Sequence, residues 1–291
     1  MINKLTIIGI GLIGGSLAKA LRRAEAVDEI VGYGRSILNM KLAVESGVID
    51  RAEISLAAAV NGADVVVLAT PVAAMNESFA AIAPSIADTT VITDVGSVKF
   101  PLLAPAREAL QHRIGRYVPG HPIAGKEDSG VVHADADLFE GRQVILCPDA
   151  DTDEDAVAVV REMWDATGAE VVFMPAAKHD VILAASSHLP HVLAYNLVDN
   201  LVRRDEHREI FHYSAGGFRD FTRIAGSDPE MWRDICLANR EALLACLQSY
   251  QEDLGVLMNA IASGDGDFLL ETFERARHAR NAFIRQPDTD D

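Results

Sequence analysis

The residues best suited to chemistry lie in short polar loops between apolar runs. His121 stands in Gly120-His121-Pro122-Ile123-Ala124-Gly125, where Pro122 stiffens the chain and two glycines bracket a compact loop. An imidazole held there can take the proton of an alcohol while hydride leaves the same carbon; the alternative is a structural histidine bonded to backbone. Ser97, in Asp94-Val95-Gly96-Ser97-Val98-Lys99, can share that hydroxyl's hydrogen-bond network or orient His121. It can also cap the next helix, and the two roles are compatible. Lys99 reads either as a cation near a substrate or as a solvated surface lysine. His188 and His191, in Ser187-His188-Leu189-Pro190-His191, share a helix face. No third ligand accompanies them, so no metal is expected, and a substrate-facing role or a satisfied core pair is. Arg223, in Phe221-Thr222-Arg223-Ile224-Ala225, carries a guanidinium that grips a carboxylate through two parallel bonds, or pairs with Asp228. Trp232 reads as core or interface.

A second constellation lies at the N-terminus. Gly9, Gly11 and Gly14, in Leu5-Thr6-Ile7-Ile8-Gly9-Ile10-Gly11-Leu12-Ile13-Gly14-Gly15-Ser16, fit G-x-G-x-x-G after an Ile-rich strand and before an amphipathic segment. The first glycine permits a tight turn, the second lets backbone N–H groups approach a pyrophosphate, and the third brings helix and strand together. The helix opening at Leu12 and Ile13 points its positive end at the phosphates. The chain therefore binds a dinucleotide. The end of the second strand normally carries an acid that accepts hydrogen bonds from an NAD ribose, but here it reads Tyr33-Gly34-Arg35-Ser36. With no carboxylate to repel a 2′-phosphate, and with Arg35 and Ser36 able to bind one, NADP is favoured over NAD; Arg35 stacked on adenine or lying in solvent is the alternative. Thr70 and Pro71, after the Val65–Ala69 strand, belong to the same rim.

These loops need a scaffold. Strands are expected at Leu5–Ile10, Glu29–Tyr33, Val65–Ala69, Val91–Val95, Arg116–Gly120, Gln143–Cys147 and Val171–Met174, with helical segments between them. That alternation predicts an α/β fold, a Rossmann-type doubly wound parallel sheet with ligands beyond the carboxyl ends of its strands. From about Ala176 the pattern turns wholly helical. The expected division is therefore residues 1–175 as a dinucleotide-binding domain and 176–291 as a helical substrate and dimerisation domain. In the latter, Lys178–Val202 is a long apolar helix kinked at Pro190. A cap at Ser227-Asp228-Pro229-Glu230 opens a second long helix to about Ala262, and a third runs from Asp267 to about Ile284. So much apolar surface in so small a helical domain implies burial by a second subunit, hence a homodimer.

Composition narrows the classes. A net charge of −17 disfavours nucleic acid and acidic membranes, so an anionic substrate needs a local basic pocket. Cys147, Cys236 and Cys246 form no C-x-x-C and read as reduced thiols of a cytoplasmic protein. No signal peptide is expected before a strand that starts at once. The apolar run Val181–Val198 holds His188, Pro190, His191 and Asn196, and reads as a buried core helix rather than a membrane span. The acidic tail Gln286–Asp291 is expected to be disordered.

The series GIGLIGGS, ATPV, TDVGSVK, GHPIAG, SHLPH and GGFRDFTRIAGSDPEMWRDI, in this order, resembles the prephenate dehydrogenase family, including its arogenate and cyclohexadienyl variants, over about residues 4–284. The resemblance implies NAD(P)-dependent oxidation of prephenate at its ring C4 alcohol with loss of CO2, giving 4-hydroxyphenylpyruvate on the way to tyrosine. It implies that His121 is the catalytic partner of the hydroxyl and that Ser97 assists it. It further implies that Arg223 binds a substrate carboxylate, that His191 lines the pocket, and that Trp232 reaches a neighbouring subunit's site. Related sequences often carry Thr or Ser after HPIAG, whereas this chain has Lys126. A cation there suits the pyruvyl carboxylate of prephenate better than the ammonium of arogenate. No fused mutase or amino-acid-sensing module is expected, so any inhibition by tyrosine would act in or near the active site.

Overall fold

The structure, a computed structural model, describes residues 1–126, 128 and 130–285. The acidic tail Gln286–Asp291 lies outside them. Six strands form one parallel sheet: β1 (Ile2–Ile8), β2 (Val27–Tyr33), β3 (Arg51–Ala52), β4 (Val65–Leu68), β5 (Val91–Asp94) and β6 (Tyr117–Val118). Their order is β3-β2-β1-β4-β5-β6, so the chain reverses direction across the sheet between β1 and β4. Both faces are covered, which explains why β4 is an unbroken apolar run rather than an alternating one. Val65 and Val67 pack on one side with Leu17 and Leu21 of the helix Leu12–Arg23, while Val66 and Leu68 pack on the other with Phe79 and Leu102. The strand's period of two divides a continuous hydrophobic segment between two cores.

The remaining strands form a separate sheet. β7 (Gly120–Pro122) pairs antiparallel with β8 (Gln143–Leu146), which pairs parallel with β9 (Glu170–Phe173). The single strand expected at Arg116–Gly120 is thus two strands in different sheets. Pro119, which has no N–H for a ladder, separates them, and its carbonyl accepts from Cys147 N instead at 2.9 Å. His121 accordingly lies within a short antiparallel strand rather than in a loop after the fifth parallel one.

From Ala176 onward all regular structure among the described residues is helical. A continuous helix spans Ala176–Val202. Its irregularity is a π turn over Ala184–His188, followed by an α-helical stretch with Pro190 in its first turn. Pro190 cannot donate to the carbonyl four residues back, and the turn before it is widened to a π turn. By length and hydropathy this helix could cross a membrane, and 22% of its most apolar window is buried within the chain. It is therefore not the buried core helix expected; it forms a wall whose inner side carries buried His179, Asp180 and His188.

The long helix expected from Glu230 to Ala262 is also interrupted. It is two helices, Pro229–Ala238 and Arg240–Ser263, broken at Asn239. The first is capped by Asp228, whose carboxylate accepts from Glu230 N at 2.8 Å and Met231 N at 3.0 Å. By compactness, one unit runs from Met1 to Leu243 and a second begins at Leu244. The second contains most of the Arg240–Ser263 helix and the helix Gly266–Arg285, with Met258, Ile261, Leu270 and Phe273 exposed.

Candidate active site

The glycine turn joins β1 to the helix Leu12–Arg23. Gly9 has φ +100°, and a Cβ there would lie 2.4 Å from the Ala69 carbonyl oxygen. Gly14 is equally constrained, since its Cβ would come within 2.3 Å of the Gly9 carbonyl oxygen. Gly11 differs: nothing lies within 4 Å of its Cβ position. The first and third glycines are thus required by the fold, and the second leaves open space at the helix N-terminus, where Leu12 and Ile13 begin the run of N–H donors. Thr70, beside the same turn, has a buried hydroxyl without a hydrogen-bond partner in the protein. Pro71 follows it at the start of the helix Val72–Ile82. An open backbone cradle and an unsatisfied hydroxyl fit a dinucleotide phosphate.

At the end of β2, Arg35 is exposed. Ser36 is the N-cap of the helix Ile37–Glu45, its Oγ accepting from Asn39 N at 3.2 Å. Its hydroxyl oxygen is committed to that cap, while its proton remains able to donate.

Beyond β5 the chain turns through Gly96 and Ser97 to Lys99. Lys99 is neither solvated nor aimed at a substrate: it is fully buried. Its ammonium pairs with Asp94 and donates to the Gly120 carbonyl at 2.6 Å. Asp94 also accepts from Tyr117 Oη at 2.7 Å and Gly96 N at 2.8 Å. This buried network ties the end of β5 to the residue preceding His121. Ser97 is half-buried and does not cap the following helix. That task falls to Asp180, whose two carboxylate oxygens accept from Lys99 N and Phe100 N, each at 2.9 Å.

His121 Nδ1 lies 2.8 Å from His179 Nε2, and His179 Nδ1 lies 2.7 Å from Asp180 Oδ1. Burial holds the His121 pKa well below that of a free histidine, and neighbouring His179, Lys99 and His188 depress it further. These effects favour the unprotonated imidazole, whose free ring nitrogen can accept a proton. The break at Asn239 serves this cluster: its side-chain amide donates to the Asp180 carbonyl at 2.8 Å and stands 3.1 Å from His188 Nδ1. His188 is buried, with its pKa lowered to about 4 chiefly by desolvation.

His191 points its ring onto Trp232, stacked at 3.6 Å between centroids with 19° between planes. Its Nδ1 is 2.9 Å from the Ser187 carbonyl, which only accepts, so the proton sits on Nδ1 and Nε2 is left as an acceptor. Arg223 acts electrostatically on His191, lowering its pKa after the larger effect of burial. Trp232 is 8% exposed and packs with Val98 and Ile235 of its own chain. Val98 adjoins Ser97, so Trp232 links His191 to the loop after β5. Lys126 is half-exposed and pairs with Asp135, its ammonium 2.7 Å from Asp135 Oδ2, and Asp135 N donates in turn to Ser16 Oγ on the glycine-turn helix. Among the described residues no cluster suited to a metal ion occurs.

A doubly wound sheet with a phosphate cradle at its switch point, and a half-buried imidazole beside the end of β5, defines a nucleotide-dependent oxidoreductase. Two adjoining family descriptions match the chain: "Prephenate dehydrogenase, nucleotide-binding domain" over residues 17–173 and "Prephenate dehydrogenase, dimerization domain" over residues 175–275. The chain belongs to the prephenate dehydrogenase family. It is 41% identical to a cyclohexadienyl dehydrogenase of Zymomonas mobilis over 98% of this chain and 97% of that one. To a prephenate dehydrogenase of Bacillus subtilis it is 34% identical, over 98% of this chain and 78% of the other. The solved structure of prephenate dehydrogenase from A. aeolicus in complex with hydroxyphenyl propionate and NAD+ superposes with a TM-score of 0.91. It is 35% identical and covers 97% of this chain and 99% of that one.

Sequence reasoning missed His179, Asp180 and Asn239. The signal available for the first two was an adjacent His-Asp pair inside an otherwise apolar helical run, AAKHDVIL.

Proposed function

We propose that this chain oxidises and decarboxylates prephenate to 4-hydroxyphenylpyruvate, a step toward tyrosine, with NADP preferred to NAD. A bound nicotinamide supplies the acceptor for the hydride leaving ring C4. His121 takes the proton of the C4 hydroxyl, and the Ser97 hydroxyl hydrogen-bonds the same oxygen. As the C4–O bond becomes a carbonyl, that ketone accepts the electron pair of the breaking bond to the ring carboxylate. CO2 departs and the ring becomes aromatic, with the proton returned to oxygen to give the phenol. Arg223 holds a substrate carboxylate and His191 lines the pocket, positioned by Trp232.

The observation that carries this reading is the half-buried His121, set beside the carboxyl end of β5 with its Nδ1 held 2.8 Å from the buried His179–Asp180 pair. The NADP preference rests on the exposed Arg35 and the missing acid at the end of β2. We place the dinucleotide-binding domain in residues 1–175 and the helical domain in 176–291, and assign the latter to homodimerisation; exposed Val181, Phe221, Leu237, Leu254 and Phe273 support an apolar interface there.

Arogenate as an additional substrate is the second reading. The Lys126–Asp135 pair favours it by removing the charge that would have opposed an ammonium group. The 41% identity to a cyclohexadienyl dehydrogenase favours it too. Initial rates with prephenate and with arogenate, each with NADP and with NAD, test all these points. Turnover of neither substrate would end the proposal. A higher kcat/KM with NAD than with NADP would end the cofactor preference. Equal kcat/KM for both substrates would assign the dual activity.

A further inference from the structure

The contacts of His121 extend away from any substrate, into a chain of groups whose hydrogen-bonding roles can be worked out in order. Asp180 anchors it. Its Oδ1 accepts from Lys99 N and its Oδ2 from Phe100 N, so the carboxylate is fixed at the start of the helix Phe100–Leu110. An ionised carboxylate only accepts, so the contact at 2.7 Å places a proton on His179 Nδ1. A neutral His179 then has its lone pair on Nε2, and the contact at 2.8 Å requires His121 to donate from Nδ1. The one remaining lone pair of His121 is on Nε2.

Resting on the reading of His121 as proton acceptor, we infer that His179 and Asp180 are positioning residues: together they hold His121 in the tautomer that leaves Nε2 free to receive the substrate's hydroxyl proton. A neutral histidine left to itself interconverts between two tautomers, and only one presents an acceptor at a given nitrogen. A buried carboxylate behind the second imidazole also stabilises the cation formed once the proton has arrived. It does so by the logic through which an aspartate orients a catalytic histidine elsewhere, here with one more ring in the chain. His179 is completely buried and Asp180 nearly so, which excludes the water that would otherwise compete for these bonds. The other charged or titratable groups acting on His121 are Lys99, paired with Asp94, and His188 on the π turn. His188 is occupied at Nδ1 by Asn239, whose amide also holds the Asp180 carbonyl, so this side of the cluster is locked as well.

His179→Ala and His179→Gln test the inference, with His121→Asn as the control. Glutamine can donate to Asp180 and accept from His121, preserving the order of the chain. His179→Ala should lower kcat about a hundredfold while KM for prephenate changes by less than about threefold, and His179→Gln should recover at least about tenfold of the loss. Imidazole 15N spectra of the wild-type protein without substrate, with His121 assigned by its loss in His121→Asn, should show the proton on Nδ1 and a bare Nε2. In His179→Ala the His121 signals should become those of a tautomer mixture. A wild-type His121 protonated at Nε2 would overturn the inference, as would a His179→Ala kcat within about threefold of wild type. Should the alanine variant not fold, the wild-type spectrum and the glutamine variant decide the matter. Full turnover in His121→Asn would instead defeat the parent reading of His121, an outcome the tautomer spectrum does not depend on.

Discussion

Removing the ammonium of Lys99 is the sharpest test of how the site is held. Lys99 and Asp94 are both fully buried, and the ammonium makes two bonds, to the Asp94 carboxylate and to the Gly120 carbonyl. Lys99→Met preserves most of the volume and removes both donors. Asp94 would keep the Tyr117 hydroxyl and the Gly96 amide, but not its counter-charge. Breaking a buried pair from one side costs about 3–5 kcal/mol, because the remaining charge is stranded in a medium that solvates it poorly. For a chain of this size that corresponds to a fall in Tm of roughly 10 °C. The double variant Lys99→Met/Asp94→Asn removes both charges and should recover a large part of the loss, with a coupling of at least ~2 kcal/mol. Urea unfolding of wild type, both single variants and the double variant gives the four corners of the cycle. Single variants costing less than ~1 kcal/mol, or losses that simply add, would refute the argument that a counter-charge governs this network.

The glycine turn offers a contrast within one motif. Gly9→Ala should destabilise the fold by about 2 kcal/mol or more, since φ is +100° and the new methyl meets the Ala69 carbonyl. Gly11→Ala should leave thermal stability within ~0.5 kcal/mol of wild type yet weaken dinucleotide binding measured by titration, because its open space is where the phosphates approach. Equal effects on stability would contradict this division of labour. Arg223→Ala should mainly raise KM for prephenate, and an unchanged KM would place the carboxylate elsewhere. Stability should also fall with acid. The pKa of His188 drops from 6.5 in the unfolded chain to about 4 in the fold, so below pH 6.5 only the unfolded state binds that proton. Folding is unpenalised above this range and loses about 3 kcal/mol as the pH falls toward 4. A His188→Gln variant should show a shallower loss by urea titration between pH 6.5 and 4.5; an identical slope would mean His188 is not the group responsible.

The parts of this molecule that were legible in the sequence are those where one local pattern has one physical solution. The glycine spacing, the apolar runs of β1, β4 and β5, and the polar loops following them all read through to the structure. The parts that were not legible depend on partners distant in the chain. Whether Lys99 is a surface lysine or a buried one is decided by Asp94 and Gly120, and nothing at position 99 itself says so. Asn239 resembles any helix residue until its amide is found bridging Asp180 and His188. Pro119 could have announced the split between the two sheets, since a missing donor in the middle of an expected strand argues against that strand. The pairing of Lys126 with Asp135, nine residues on, is likewise not written at position 126 itself.

The Asp180 carboxylate belongs to the helical part of the chain, yet it caps a helix of the sheet-bearing part and ends the line of rings that reaches His121. A hinge that swung these two parts open would uncap that helix and break the line of rings in the same movement. One carboxylate thus serves both as a helix cap and as the end of the line of rings, and a substitution that loosens this seam should lower turnover without touching any group in contact with substrate.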